Sequence, residues 1–188
     1  PTDDPAAFAD DMLVDAMLRG RALVSAGGFA RVHIGDASLG DTVTTDSGDV
    51  DLRVEVSALP AIDVVAVQVL ANCDEVAWID LETPHDVIKF SGSIPLSLDA
   101  DAHIVVVAHG TRPLPRPFPQ FDAWGVPRVI TNPIYVDVGG DGYVAPGGKT
   151  CEYRNPRVVR PKRTAPRSVV EEAIPTLHEH SGHACPCH

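Results

Sequence analysis

The densest run of reactive side chains is His178-Glu179-His180-Ser181-Gly182-His183-Ala184-Cys185-Pro186-Cys187-His188, which holds four His and two Cys in eleven positions. Imidazole and thiolate are the ligands of zinc and copper, and a tetrahedral site takes four of these six. His178, His180, His183, Cys185, Cys187 and His188 are therefore the candidate metal ligands, with Gly182 and Pro186 placed to turn the chain around one ion. The spacing matches no standard zinc-finger pattern, and Cys-Pro-Cys-His is one residue short of a c-type haem site. Two other fates are open to the thiols: a strained small-ring disulfide between Cys185 and Cys187, or pairing of either with Cys73 or Cys151. A His-rich terminus that holds nothing is the plainer reading, although its Cys content and irregular spacing are unlike an engineered tag.

A second candidate is the turn Asp137-Val138-Gly139-Gly140-Asp141-Gly142-Tyr143, whose Asp137 and Asp141 have the acidic and glycine spacing of a rudimentary calcium loop. It lacks the middle Asp or Asn and the distant Glu, and calcium needs six or more oxygens. A tight connection, with Gly supplying positive φ and Asp bonding its own backbone, is the favoured reading. His33, His85, His103 and His109 are scattered among candidate strands, where a lone His is usually a packed or surface residue. There is no Gly-x-Ser-x-Gly to make a nucleophile elbow, and Gly27-Gly28 and Gly139-Gly140 lack the setting of a phosphate-binding loop.

The elements that would carry these groups are mostly strands. Apolar residues make up 44% of the 188 residues and aromatics only 5%, so a core must be aliphatic, and Val-rich stretches favour strands. Residues 1–148 hold 22 Asp/Glu against 8 Lys/Arg, a charge of −14, whereas 149–188 hold 4 against 7, a charge of +3. Such a body repels nucleic acid and anionic membrane, which need a basic footprint. The basic residues after Gly148 alternate with prolines rather than aromatics, which suits a solvated arm or a strap across an acidic partner surface. No apolar run approaches the roughly 20 residues of a membrane span, and four Cys leave the compartment open.

Asp3 or Asp4 as cap, Pro5 at the first helical position and Gly20 at the C′ position predict a helix over about 5–19. Phe8, Met12, Leu13, Ala16 and Met17 form its apolar face, which needs a partner. From Arg21 the period changes to two, and Val50–Val56 alternates strictly, as a strand with one wet face should. Further strands are expected at Leu23–Ala26, Ala30–Ile34, Val64–Leu70, Val76–Asp80, Asp86–Phe90, Ile94–Leu98, His103–Ala108 and Val129–Val136. Ile104–Ala108 does not alternate and predicts a central strand covered on both faces. Five prolines within 110–128 rule out a ladder strand there. The expectation is a mainly β chain: a helix over 1–20, a two-sheet antiparallel β-sandwich over 21–148, and an extended Pro/Arg-rich arm over 149–188.

Asp15-Ala16-Met17-Leu18-Arg19-Gly20-Arg21-Ala22-Leu23-Val24-Ser25-Ala26-Gly27-Gly28-Phe29, Leu39-Gly40-Asp41-Thr42-Val43, Ala71-Asn72, and Thr131-Asn132-Pro133-Ile134 through Gly139-Gly140-Asp141-Gly142 together form a pattern. It resembles the C-terminal part of the carbaryl-hydrolase-like (CehA/McbA) branch of the PHP metallohydrolases, over about residues 8–145. Gly28 stands where Pro is usual and Cys73 where Gly is usual. The resemblance implies that this chain is a support sandwich, that the metal and catalytic residues lie in a PHP domain not contained here, and that 5–19 is that domain's final element. The partner it implies is an upstream PHP domain or a second chain, and the reaction is metal-assisted hydrolysis of an ester, carbamate or phosphoester. On that reading Phe118, Phe121 and Trp124 of the Pro-rich loop line the substrate cleft. The alternative is a non-catalytic module that assembles into an oligomer through its arm and ties the arm's end with a metal.

Overall fold

The computed structural model describes residues 8–82, 85–114 and 125–147. One helix, α1 (Asp10–Leu18), precedes ten strands: β1 (Leu23–Ala26), β2 (Gly28–Ile34), β3 (Thr42–Thr45), β4 (Asp49–Ala58), β5 (Ala66–Ala71), β6 (Asp74–Asp80), β7 (Ile88–Ser97), β8 (Ala102–His109), β9 (Arg128–Thr131) and β10 (Ile134–Val138). They form a seven-stranded sheet and the three-stranded sheet β2-β4-β7. The protein is a two-sheet β-sandwich preceded by a helix.

Alternation decides which side chains meet between the sheets. In β4, Leu52, Val54 and Val56 point inward while Asp51, Arg53 and Glu55 point to water. Ala30, Val32 and Ile34 from β2 and Ile94 and Leu96 from β7 join them. Facing these are Val67 and Val69 of β5, Ile104 and Val106 of β8, Val129 of β9, and Ile134 and Val136 of β10. The core is aliphatic throughout, as the composition requires.

β8 is the central strand, paired with β5 on one side and with both β9 and β10 on the other. β9 and β10 lie end to end along one edge of β8, and the expected single strand 129–136 is divided at Asn132-Pro133 because proline has no N–H for the ladder. The hydroxyl of Thr131 fills the resulting gap by accepting the Val106 N–H at 3.0 Å. The two halves then take different neighbours, β1 antiparallel to β9 and β3 parallel to β10. That parallel pair is the departure from an all-antiparallel sandwich.

Other boundaries shift for local reasons. The helix expected from about residue 5 begins at Asp10 with Ala9 as N-cap, and residues 1–7 lie outside the described residues. The stretches expected separately at 86–90 and 94–98 are one strand, β7, which runs straight through Gly92 opposite Val54. β3 was not expected, since Thr-Val-Thr-Thr is too short and polar to show a period.

Candidate functional site: the helix–sandwich junction

Three stretches far apart in sequence, 19–22, 38–41 and 131–133, meet where α1 enters the sandwich. The helix ends in a Schellman turn: Gly20 N–H donates to Met17 O at 3.0 Å and Arg21 N–H to Ala16 O at 2.8 Å. Gly20 takes φ of +69°, which a side chain would resist. Its backbone packs on Gly40, where a Cβ would come within 1.7 Å of the Arg19 carbonyl oxygen. The two glycines are required because main chain rests on main chain.

The clamp is closed by hydrogen bonds from all three stretches. Asn132 donates through Nδ2 to Gly20 O at 3.0 Å and through its backbone N–H to Ala22 O at 3.1 Å. Gly40 N–H donates to Pro133 O at 2.8 Å, and Tyr135 N–H to Asp41 O at 3.0 Å. Arg21 reaches Oδ1 of Asp41 at 3.1 Å, and the other carboxylate oxygen accepts the Ser38 N–H at 3.0 Å. The Ser38 N–H, and then the Arg21 guanidinium, hold the Asp41 carboxyl below its ordinary range. The contacts of this site join the three stretches to one another. They fix the helix to the sheet.

The helix so oriented is bare. None of its residues is buried, and Phe8, Leu13, Val14, Met17 and Leu18 are each more than half exposed. Among the described residues nothing buries this apolar face.

A second cluster lies on the outer face of the seven-stranded sheet. Gln68 and His109, both buried, share a hydrogen bond of 3.0 Å between Oε1 and Nε2, and Gln68 Nε2 donates to Glu75 at 2.9 Å. That orientation makes Nε2 the protonated ring nitrogen and leaves Nδ1 with no hydrogen-bond partner among the described residues. The Trp78 ring lies 5.4 Å from the imidazole, and its N–H is taken by Asp80 at 2.8 Å. Burial, and then Arg128, push the His109 pKa down to about 4. The ring is a neutral packing element. Sequence separation hid this cluster, since residues 68 and 109 become neighbours only through the β5–β8 register.

The sequence-predicted residues fall unevenly. Asp137 is buried on β10; its Oδ2 accepts the Gly142 N–H at 3.2 Å, its Oδ1 has no hydrogen-bond partner among the described residues, and Asp141 is exposed. Gly139, Gly140 and Gly142 all take positive φ, as a tight connection requires. Among the described residues, no three His, Cys, Asp or Glu side chains are grouped to hold an ion. His178, His180, His183, Cys185, Cys187 and His188 lie outside the described residues, as do Phe118, Phe121 and Trp124. The stem of the Pro-rich loop is described: Gly110 N–H donates to Pro127 O and Leu114 N–H to Gly125 O. Buried Asp63 accepts the backbone N–H groups of Thr111 and Arg112 and the Thr111 hydroxyl. His33 and Arg53 are register partners on the wet face of β2-β4-β7, away from His103 and His109 on β8. No described helix is long and apolar enough to cross a membrane. No protein-family model matches the chain, and no curated protein matches it.

Proposed function

We propose that this chain is the β-sandwich support domain of a PHP-type metal-dependent hydrolase acting on esters, carbamates or phosphoesters, with the catalytic metal centre carried by a PHP domain outside these residues. The observation that carries this reading is the junction. Gly20, Arg21, Gly40, Asp41, Asn132 and Pro133, which belong to the stretches that resemble the family pattern, converge on the base of α1. Their common task is to aim a helix whose apolar face has no buried residue. A PHP domain seated on that face would be held at a fixed angle to the sandwich. The Pro-rich loop, with its stem tied by Asp63, is the part we assign to the edge of the substrate cleft through Phe118, Phe121 and Trp124.

The test has two arms. The chain alone, loaded with zinc or manganese, is expected to hydrolyse p-nitrophenyl esters and phosphoesters no faster than buffer. Purified together with its PHP domain, the Leu13→Glu/Met17→Glu variant is expected to lose at least ~10-fold in metal-dependent turnover, while its sandwich keeps the parent thermal midpoint, since exposed substitutions shift stability little. Metal-dependent turnover by the chain alone, or full activity of the helix variant, would overturn the reading.

A further inference from the structure

We propose that the cleft lined by Tyr135 and Tyr143 binds an organic ammonium ion, of the quaternary or methylated-amine class, against the faces of the two tyrosine rings. The cleft measures about 580 Å³, a size that suits a small organic ligand. Strand alternation builds its base. Ile134 and Val136 of β10 are buried in the core, so Tyr135 between them points to the outer face of the seven-stranded sheet. Its register partners are Thr42 of β3 and His103 of β8, and all three side chains line the cleft. Gly40 and Pro133 of the helix–sandwich junction line it as well.

Tyr143 comes from the turn that follows β10. Its ring centroid lies 5.0 Å from that of Tyr135 with the planes 61° apart, so the two rings make a corner rather than a stack. That corner is fixed by hydrogen bonds to the backbone around it. Val138 N–H and Val144 N–H donate to the two oxygens of Asp101 at 2.8 and 2.6 Å, and Gly142 N–H donates to Asp137. Tyr143 therefore sits between two residues whose N–H groups are tied down, and a ligand would find the rings already placed.

The electrostatics select the sign of the ligand. Among the described residues no Lys or Arg lines the cleft. Burial, then Tyr135, then the Asp101 carboxylate push the Tyr143 phenol above its ordinary range, which keeps the ring neutral. Asp137 follows Tyr135 by two positions on the same face of β10 and adds a second, buried carboxylate. Residues 1–148 carry −14, a field that gathers cations and repels anions. A cation is drawn to the face of a tyrosine ring when it lies within about 6 Å of the centroid. A quaternary or methylated ammonium gains most from such a corner, because it is weakly hydrated and brings few N–H donors that need acceptors. The inference is independent of the support-domain reading.

Isothermal titration calorimetry of the full chain with choline chloride tests it. Saturable binding is expected, at least ~10-fold tighter than for dimethylbutanol, in which carbon replaces the quaternary nitrogen, since only the charged ligand is drawn to the ring faces. Tyr143→Phe keeps the ring and is expected to bind choline within about twofold of the parent, whereas Tyr143→Leu is expected to lose at least ~5-fold. Absence of choline binding, equal binding of the carbon isostere, or parental affinity in Tyr143→Leu would overturn the proposal. If Tyr143→Leu fails to fold, the choline and dimethylbutanol comparison on the parent and on Tyr143→Phe still decides it.

Discussion

Gly40 and Gly35 both take positive φ, +83° and +58°, yet they differ in surroundings. A Cβ on Gly35 meets nothing within 4 Å, whereas one on Gly40 would overlap the Arg19 carbonyl. Gly35→Ala is expected to cost roughly 1 kcal/mol, the ordinary left-handed penalty. Gly40→Ala is expected to cost more than about 2 kcal/mol, because the helix must leave the sheet to admit it. Urea unfolding of the two variants measures the difference, and equal costs would mean that the junction yields freely. His109 supports a second prediction at this scale. Its pKa is about 4 in the fold against 6.5 for an ordinary imidazole, so the unfolded chain takes up the proton first as pH falls. The site's contribution to stability is whole above about pH 6.5 and is lost between there and pH 4, on the order of 2–3 kcal/mol by pH 4.5. His109→Gln keeps a donor for Gln68 and is expected to flatten that part of the stability–pH curve; an unchanged slope would assign it to other groups.

The elements were legible where one periodicity operated over enough residues. Strict alternation in 50–56 marked β4, the unbroken apolar run 104–108 marked β8, and Gly20 marked the helix end through its C′ position. Legibility failed where partners supply the pattern. β3 is held by pairing with β10, and β7 persists through Gly92 because β4 continues beside it on the ladder. The junction was half visible: its residues stood out as a resemblance and Pro133 is the local signal that divides β9 from β10, but their convergence depends on which strands the two halves pair with. The Asn72-Cys73 turn shows a further limit, since a cysteine with φ of +70° is a conformation that its residue type does not announce.

For the whole molecule, the charge division is its most general property. Residues 1–148 carry −14 and residues 149–188 carry +3, so the binding of either to a charged partner weakens as salt screens it. The tail supplies a test at this scale. If His178, His180, His183, Cys185, Cys187 and His188 provide a site, the intact chain purified without chelator is expected to retain about one equivalent of zinc or copper. Truncation after Leu177 is expected to remove it, with the sandwich's thermal midpoint unchanged. Metal content that survives the truncation would place the ion elsewhere. A free-standing tail site is compatible with either a support domain or an assembly module, so this measurement stands apart from the hydrolysis assays.

The interruption at Asn132-Pro133 has a mechanical consequence. Asn132 holds the base of α1, while the neighbouring Thr131 hydroxyl is bonded to Val106 in the middle of β8. A load applied to the helix is therefore delivered to the central strand of the larger sheet rather than to an edge strand that could peel away. The base of α1 and the middle of β8 are thus linked through two adjacent residues, Asn132 and Thr131. On the proposed reading the sandwich is a footing, and the broken strand is the bolt that ties the post into it.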